Sequence, residues 1–289
     1  AFKKNQSNRG RLVSRLPCVL ESRLFDKCYN QHMSSFSEIF GQDTVQSCVT
    51  LGRNSLLDAL NKHEYSNPSS ALYIRSGETE AVLSSCSSDQ TPWREALSLI
   101  GEPLSNSNTG LVCLRSGNRG FVVIPPFPVI ENKFYDFWNS KELENLLKAD
   151  YLIGVILLRL GRFSVALFQG DTLIHSKTDA RYVKGRHRKG GSSQRRFERI
   201  REGQVRRLYD KTCDAVRVIF GEHENQIDYV ILGGEGITIN NFLKICPRMA
   251  VFTSRITPDR LNIRDPKRDT LDHVSHLVWQ SRVYSVEFD

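Results

Sequence analysis

Three apolar runs, Tyr151–Leu160, Phe163–Gln169 and Thr172–His175, succeed one another with glycine-bearing reversals between them. Leu160-Gly161 and Gly170-Asp171 are tight-turn dipeptides, so adjacent runs fold back on each other as antiparallel strands. This meander commits the second half of the chain to a sheet, and its expected continuation is Ala180–Lys184. The longest uninterrupted apolar stretch, Tyr151–Leu158, stops after eight residues at Arg159. A membrane-spanning helix needs about 20, so a membrane is not among the expected partners.

The residues after the meander have a different character. The segment Gly185-Arg-His-Arg-Lys-Gly-Gly-Ser-Ser-Gln194 leads into a helix expected from about Ser193 to Phe220, with Phe197, Ile200, Leu208, Ala215 and Ile219 on or near one face. Gly203 is its weak point. Beyond it the pattern predicts a strand at Tyr229–Leu232, a loop Gly233-Gly-Glu-Gly236, a helix Thr238–Lys244, a strand Met249–Thr253, a helix Thr270–Gln280 and a terminal strand Val283–Phe288. Strands alternating with helices after a meander give a mixed sheet packed by helices, an α+β or mixed α/β fold.

The first half reads as a smaller α/β unit. Its expected elements are a helix at Asn54–His63, strands at Ala71–Arg75 and Glu80–Leu83, a helix at Pro92–Ile100, and a hairpin of Leu111–Leu114 with Phe121–Ile124. The proline-rich Ile124-Pro-Pro-Phe-Pro-Val129 marks the boundary region, and a helix comes next at Asn139–Ala149. A chain of 289 residues suits two domains, here 1–138, with a basic tail carrying Lys3, Lys4, Arg9, Arg11 and Arg15, and 139–289. The tail has no continuous apolar core of the secretory kind.

Charge is concentrated rather than spread. Between Arg181 and Arg217 there are 13 Lys/Arg against 4 Asp/Glu, and the whole chain carries +8, so everything outside these 37 residues sums to −1. A local excess of this kind attracts polyanions, nucleic acid above all. The seven cysteines (18, 28, 48, 86, 113, 213 and 246) form no CxxC pair. Their scatter predicts reduced thiols in a cytoplasmic protein and no zinc site. His273 and His276 stand three apart with no third ligand nearby, so no metal and no cofactor are expected.

Gly190, Gly191, Ser192 and Ser193 make a tip that no core packing explains. Glycines let a backbone approach closely where side chains would collide. Arg186, Arg188, Lys189, Arg195, Arg196 and Arg199 flank it with cations suited to an RNA backbone, and Ser192 and Ser193 are candidate caps of the helix. Gln194 is the residue with chemistry to offer. An amide has no usable pKa and is no general base, but it donates and accepts hydrogen bonds at once. That suits placing a water against an ester carbonyl or stabilising the charge that develops there.

The run Gly190-Gly-Ser-Ser-Gln-Arg-Arg-Phe-Glu-Arg-Ile-Arg-Glu202, with its basic approach and long helix, resembles the catalytic domain of archaeal and eukaryotic peptide-chain release factors, closest to their Vms-like ribosome-rescue branch. The resemblance covers about residues 145–289. It implies a release-factor catalytic domain whose loop enters the peptidyl-transferase centre. Gln194 would then promote peptidyl-tRNA hydrolysis, with the large ribosomal subunit, ribosomal RNA and the CCA end of peptidyl-tRNA as partners. The family places its glutamine directly after two glycines, or after one intervening serine in the eukaryotic Vms-like proteins. This chain has two serines, and an ungapped match through Arg196-Phe197 puts Ser192 in the glutamine's place. Gln194 serves if the loop is reshaped. Gln204, inside the helix, is a decoy, and Gly233–Gly236, with Ile239 where a dinucleotide fingerprint wants glycine, is a tight turn. Two other activities fit the same residues: cleavage of the tRNA near its CCA end, and ribosome or RNA binding without catalysis.

Overall fold

The computed structural model describes residues 35–40, 48–85, 91–101, 104, 107–185 and 192–288, all of them in one unit, Ser34–Asp289. The basic tail expected in the first residues lies outside them. The first layers hold β1 (Cys48–Leu51), β2 (Ser69–Ile74), β3 (Leu111–Ser116), β4 (Arg119–Ile124) and β5 (Lys133–Tyr135), with helices α1 (Phe36–Phe40), α2 (Arg53–Lys62), α3 (Thr79–Ser84), α4 (Thr91–Ile100) and α5 (Lys141–Lys148). The expected hairpin is present as β3–β4 and turns at Gly117-Asn118, with Gly117 at a φ of +63°. That left-handed backbone is open to glycine at little steric cost.

The meander forms the middle and one edge of a second sheet. β6 (Leu152–Arg159), β7 (Arg162–Gln169) and β8 (Thr172–Ala180) pair antiparallel in sequence. After the long helix α6 (Ser192–Phe220), β9 (Tyr229–Gly234) pairs parallel to β6. After α7 (Gly236–Ile245), β10 (Ile256–Leu261) pairs parallel to β9, giving the mixed order β10-β9-β6-β7-β8. β6 is covered on both faces. Leu152, Ile156 and Leu158 pack with α6 and α7, while Ile153, Val155 and Leu157 pack with Phe127 and with α8 (Arg268–Val278). A strand buried on both sides reads as a continuous apolar run.

The final strand, β11 (Ser281–Glu287), leaves this layer and inserts between β1 and β4, completing the antiparallel order β1-β11-β4-β3-β2-β5. The two sheets therefore do not divide the chain at one point. α5 lies just past the expected boundary at 138/139, yet Leu143 and Leu147 pack in the core of the first sheet. Phe127, Tyr151, Tyr229 and Trp279 contact one another where the chain crosses between sheets. Burial there pushes the Tyr229 phenol up to about 12.

Several local expectations are corrected. Glu80–Leu83 is helical, within α3, because Gly77 at φ +75° closes the preceding turn and Glu, Ala and Leu favour a helix once no strand partner is near. Met249–Thr253 lies in a 3-10 helix, Pro247–Arg255, whose buried Met249 and Phe252 match a three-residue turn. The strand of that region is β10, hidden in the sequence by Pro258, which an edge position tolerates. β8 runs unbroken to Ala180, and residues 181–185 carry no regular structure. The apolar stripe of α6 meets the core from Val205 and is buried from Leu208 onward. Ala215 is buried and Ile219 half-buried against that core, while Ile200 is exposed and Phe197 half-exposed.

The cysteine expectation also changes. Cys213 on α6 and Cys246, directly after α7, are joined in a disulfide with Cα atoms 5.6 Å apart, while Cys48 and Cys113 are free thiols. Spacing along the chain could not reveal this pair, because helix packing alone brings residues 33 apart together. A cross-link of that loop length stabilises by about 3–4 kcal/mol. Reduction is therefore expected to lower Tm by roughly 5–10 °C, read by calorimetry with and without reductant. Failure of non-reducing peptide mapping to recover the linked peptides would contradict the pairing.

Candidate functional site

α6 is a helix with a root and an arm. Its C-terminal half is seated on the second sheet through Leu208, Ala215, Val216 and Phe220. The Phe220 ring lies on Gly154, where an added Cβ would meet the ring at 2.6 Å. From Gln194 to Arg207 no residue is buried. At 1.5 Å per residue this arm is about 20 Å long.

The arm begins with the expected site. The helix opens at Ser192, so Ser192 and Ser193 occupy its first turn rather than a position outside it. Gln194 is half-exposed in the same turn, and its Nε2 donates to Glu198 Oε1 at 2.9 Å, one turn along. Arg195, Arg196 and Arg199 are exposed, and the first turn contains no acid. Gly190, Gly191, Arg186, Arg188 and Lys189 lie outside the described residues. The structure thus brings Gln194 together with three of its six expected cations on one exposed helical end.

Residues without an evident role in the sequence hold the arm in place. The stretch leaving β8 runs alongside α6, and α6 grips it at Lys184. Gln204 Oε1 accepts from the Lys184 backbone N–H at 3.0 Å, and Arg201 Nε donates to the Lys184 carbonyl at 3.0 Å. Both backbone groups of one residue are therefore bonded to side chains three apart on the helix, which share a face. Val183 packs against the core beside them, and Lys184 Nζ sits 5.3 Å from the Phe197 ring centroid. Gln204 has no catalytic placement here, being in the fourth turn, but it is a structural member of the site. Its signal in the sequence, a polar residue on the apolar side of the helix, is indistinct without the neighbouring strand.

Between this stretch and the arm lies a cleft of about 400 Å³ lined chiefly by Tyr182, Lys184, Gln194, Phe197, Glu198 and Arg201. The second glycine loop is shorter than expected: Gly233 and Gly234 end β9, Gly236 opens α7, and Glu235 alone lies between them. Gly234 has a φ of +120° and an added Cβ would lie 2.1 Å from the Leu158 carbonyl oxygen. Among the described residues no cluster of three or more His, Cys, Asp or Glu is arranged to hold a metal ion, and no helix is long and apolar enough to cross a membrane.

Comparison with known proteins places the second half of the chain. Residues 151–284 match the model of the Actinobacteria/chloroflexi VLRF1 release factor. The chain is 29% identical over 160 residues to peptide chain release factor subunit 1 of Methanopyrus kandleri, which covers 52% of this chain and 38% of that protein. It is 28% identical over 127 residues to the same factor of Archaeoglobus fulgidus, covering 42% and 30%. The matched stretch thus spans well under half the length of either relative. Among solved structures, the Vms1 mitochondrial localization core is matched over 73% of this chain and 89% of that one, at 10% identity and a TM-score of 0.41. An archaeal translation termination factor, aRF1, is matched over 73% and 64%, at 16% identity and a TM-score of 0.30.

The grip at Lys184 has a local test. Gln204→Ala removes the acceptor from a half-buried amide, worth about 1 kcal/mol. Hydrogen exchange at the Lys184 amide is expected to speed up roughly fivefold, while Leu208 and Val216 exchange as before. Unchanged exchange at Lys184 would mean that the hydrogen bond does not hold this stretch.

Proposed function

We propose that this chain, which through residues 151–284 belongs to the release-factor family in its Vms-like branch, releases nascent peptides by promoting peptidyl-tRNA hydrolysis on stalled large ribosomal subunits. The observation that carries the reading is the arm itself. An amide side chain, Gln194, sits in the first turn of an exposed helical end that also presents Arg195, Arg196 and Arg199. The names of the relatives, release factors by description, support the reaction class.

In this role the arginines hold phosphates of ribosomal RNA and of the tRNA acceptor end, placing the tip without reading sequence. Gln194 contributes both halves of its amide. Its oxygen accepts from the attacking water, and its nitrogen donates to the oxygen that gains charge as the ester carbonyl becomes tetrahedral. Glu198, which receives the Gln194 nitrogen in the unbound protein, must give it up for that donation. Gly190, Gly191, Ser192 and Ser193 shape the approach, Arg186, Arg188 and Lys189 extend the grip, and Ser192 is the residue to substitute next should Gln194 prove dispensable. The remaining groups of the site come from RNA, and the CCA end of peptidyl-tRNA is the substrate. Release in this reading needs no stop codon.

Two outcomes are expected. With purified protein and large subunits carrying labelled peptidyl-tRNA, Gln194→Ala lowers the release rate by about a hundredfold or more, the usual cost of removing a transition-state donor. The released peptide carries no nucleotide, and nucleotides on it would indicate tRNA cleavage instead. In a separate titration, Arg195→Ala and Arg196→Ala each reduce the slope of log affinity against log salt by about 1. Equal slopes for wild type and variants would count against an arginine–phosphate grip.

A further inference from the structure

The cleft beneath the arm reaches Gln194 and Glu198 and carries, in addition, groups that peptide release does not use. Tyr182 lines it with three-quarters of its surface exposed. Phe197 forms a second aromatic wall, and Gly185 adds no side chain to the lining. Lys184 and Arg201 are the cations of the cleft, and Glu198 and Glu202 its carboxylates. The Lys184 clamp fixes the stretch that carries Tyr182 against the helix that carries Phe197.

We infer that this cleft binds one unpaired nucleotide of an RNA, its base against the Tyr182 and Phe197 rings and its phosphate beside Lys184 and Arg201. The volume, about 400 Å³, accommodates a single nucleotide and not a duplex. Flat aromatic surfaces paired with cations are the chemistry of single-strand recognition, in which stacking tolerates any base. The carboxylates add a preference. Carboxylate oxygens accept hydrogen bonds, so Glu198 and Glu202 favour cytosine, adenine or guanine, which carry exocyclic amines, over uracil. The neighbouring Arg195, Arg196 and Arg199 give the surrounding surface the sign that an RNA strand requires. The inference rests on the RNA-directed reading of the arm and names a second contact for it.

The test uses the intact protein and a single-stranded RNA hexamer carrying 2-aminopurine at its third position. Stacking is read as fluorescence quenching and occupancy as affinity. Wild type is expected to quench the probe. Tyr182→Ala weakens binding about tenfold and abolishes quenching, whereas Tyr182→Phe, which keeps the ring, retains both. A cytidine hexamer competes better than a uridine hexamer. Tyr182 is exposed, so its substitution spares the core, and circular dichroism checks that it does. An unquenched probe with wild type, or equal affinity for wild type and Tyr182→Ala, overturns the inference. So does displacement of the probe by an uncharged peptide at equal concentration, which would give the cleft to a polypeptide. Peptidyl-tRNA release, assayed separately with Gln194→Ala, keeps the two readings apart. Glutamine-dependent release without quenching removes the cleft alone, and quenching without release upholds the cleft while removing the release reading.

Discussion

The seating of α6 on the second sheet is the interaction on which the rest of the site depends. Leu208, Ala215, Val216 and Phe220 are buried against β6, β7 and α7, and each of the larger side chains contributes about 1.5–3 kcal/mol by leaving water. The ring of Phe220 needs the absent side chain of Gly154 to reach its place. The Cys213–Cys246 bond fastens the same half to the end of α7. Against this, the arm is held at Lys184 by hydrogen bonds worth about 1 kcal/mol apiece. A strongly fixed root with a weakly fixed tip is a lever whose outer end can open locally without unfolding the sheet.

The architecture supports that lever from behind. β6 is central in its sheet, parallel to β9 and antiparallel to β7, and buried on both faces. α8 and Trp279 cover the face away from α6, and Trp279 also contacts Phe127, in the stretch between β4 and β5 of the first sheet. β11 then carries the chain back between β1 and β4. The chain crosses between layers in both directions at one aromatic junction, so the sheet bearing the helix root is tied to the other through core packing rather than by a single connector.

Much of this was legible in the residues. Glycine-bearing reversals marked the meander, and the expected bounds of α2, α4, α5 and α6 fall within two residues of the observed ones. The elements that escaped share a physical cause, dependence on partners distant in sequence. β10 contains Pro258 and is a strand only because an edge position forgives it. Glu80–Leu83 lacked a pairing partner and became helix. Cys213 and Cys246 meet because two helices pack, and Gln204 acquires its role from a backbone amide twenty residues earlier. At the candidate site, the pattern pointed to Gln194 and its arginines. The Tyr182–Phe197 cleft stayed invisible, since Phe197 reads in its run as one residue of the helix's apolar face and Tyr182 belongs to no local motif.

The arm also shows why a charged tip of this kind wants a polyanion. Its first turn holds no acid, yet Arg195 and Arg196 stand at the positive end of the helix dipole. Each such cation costs roughly 0.3–1 kcal/mol at an exposed N-terminus. Arg195 and Arg199, four apart, repel by a few tenths of a kcal/mol more. Further along, the pattern relaxes, and Arg206 pairs with Asp210 at 3.1 Å. The unfavourable charge is thus confined to the end that carries Gln194, where the fold gains nothing from it. A phosphate placed there would meet the N–H groups of the helix end and the arginines together, turning repulsion into attraction. A local conflict tolerated at one end of an otherwise well-seated helix is where sequence and stability part company.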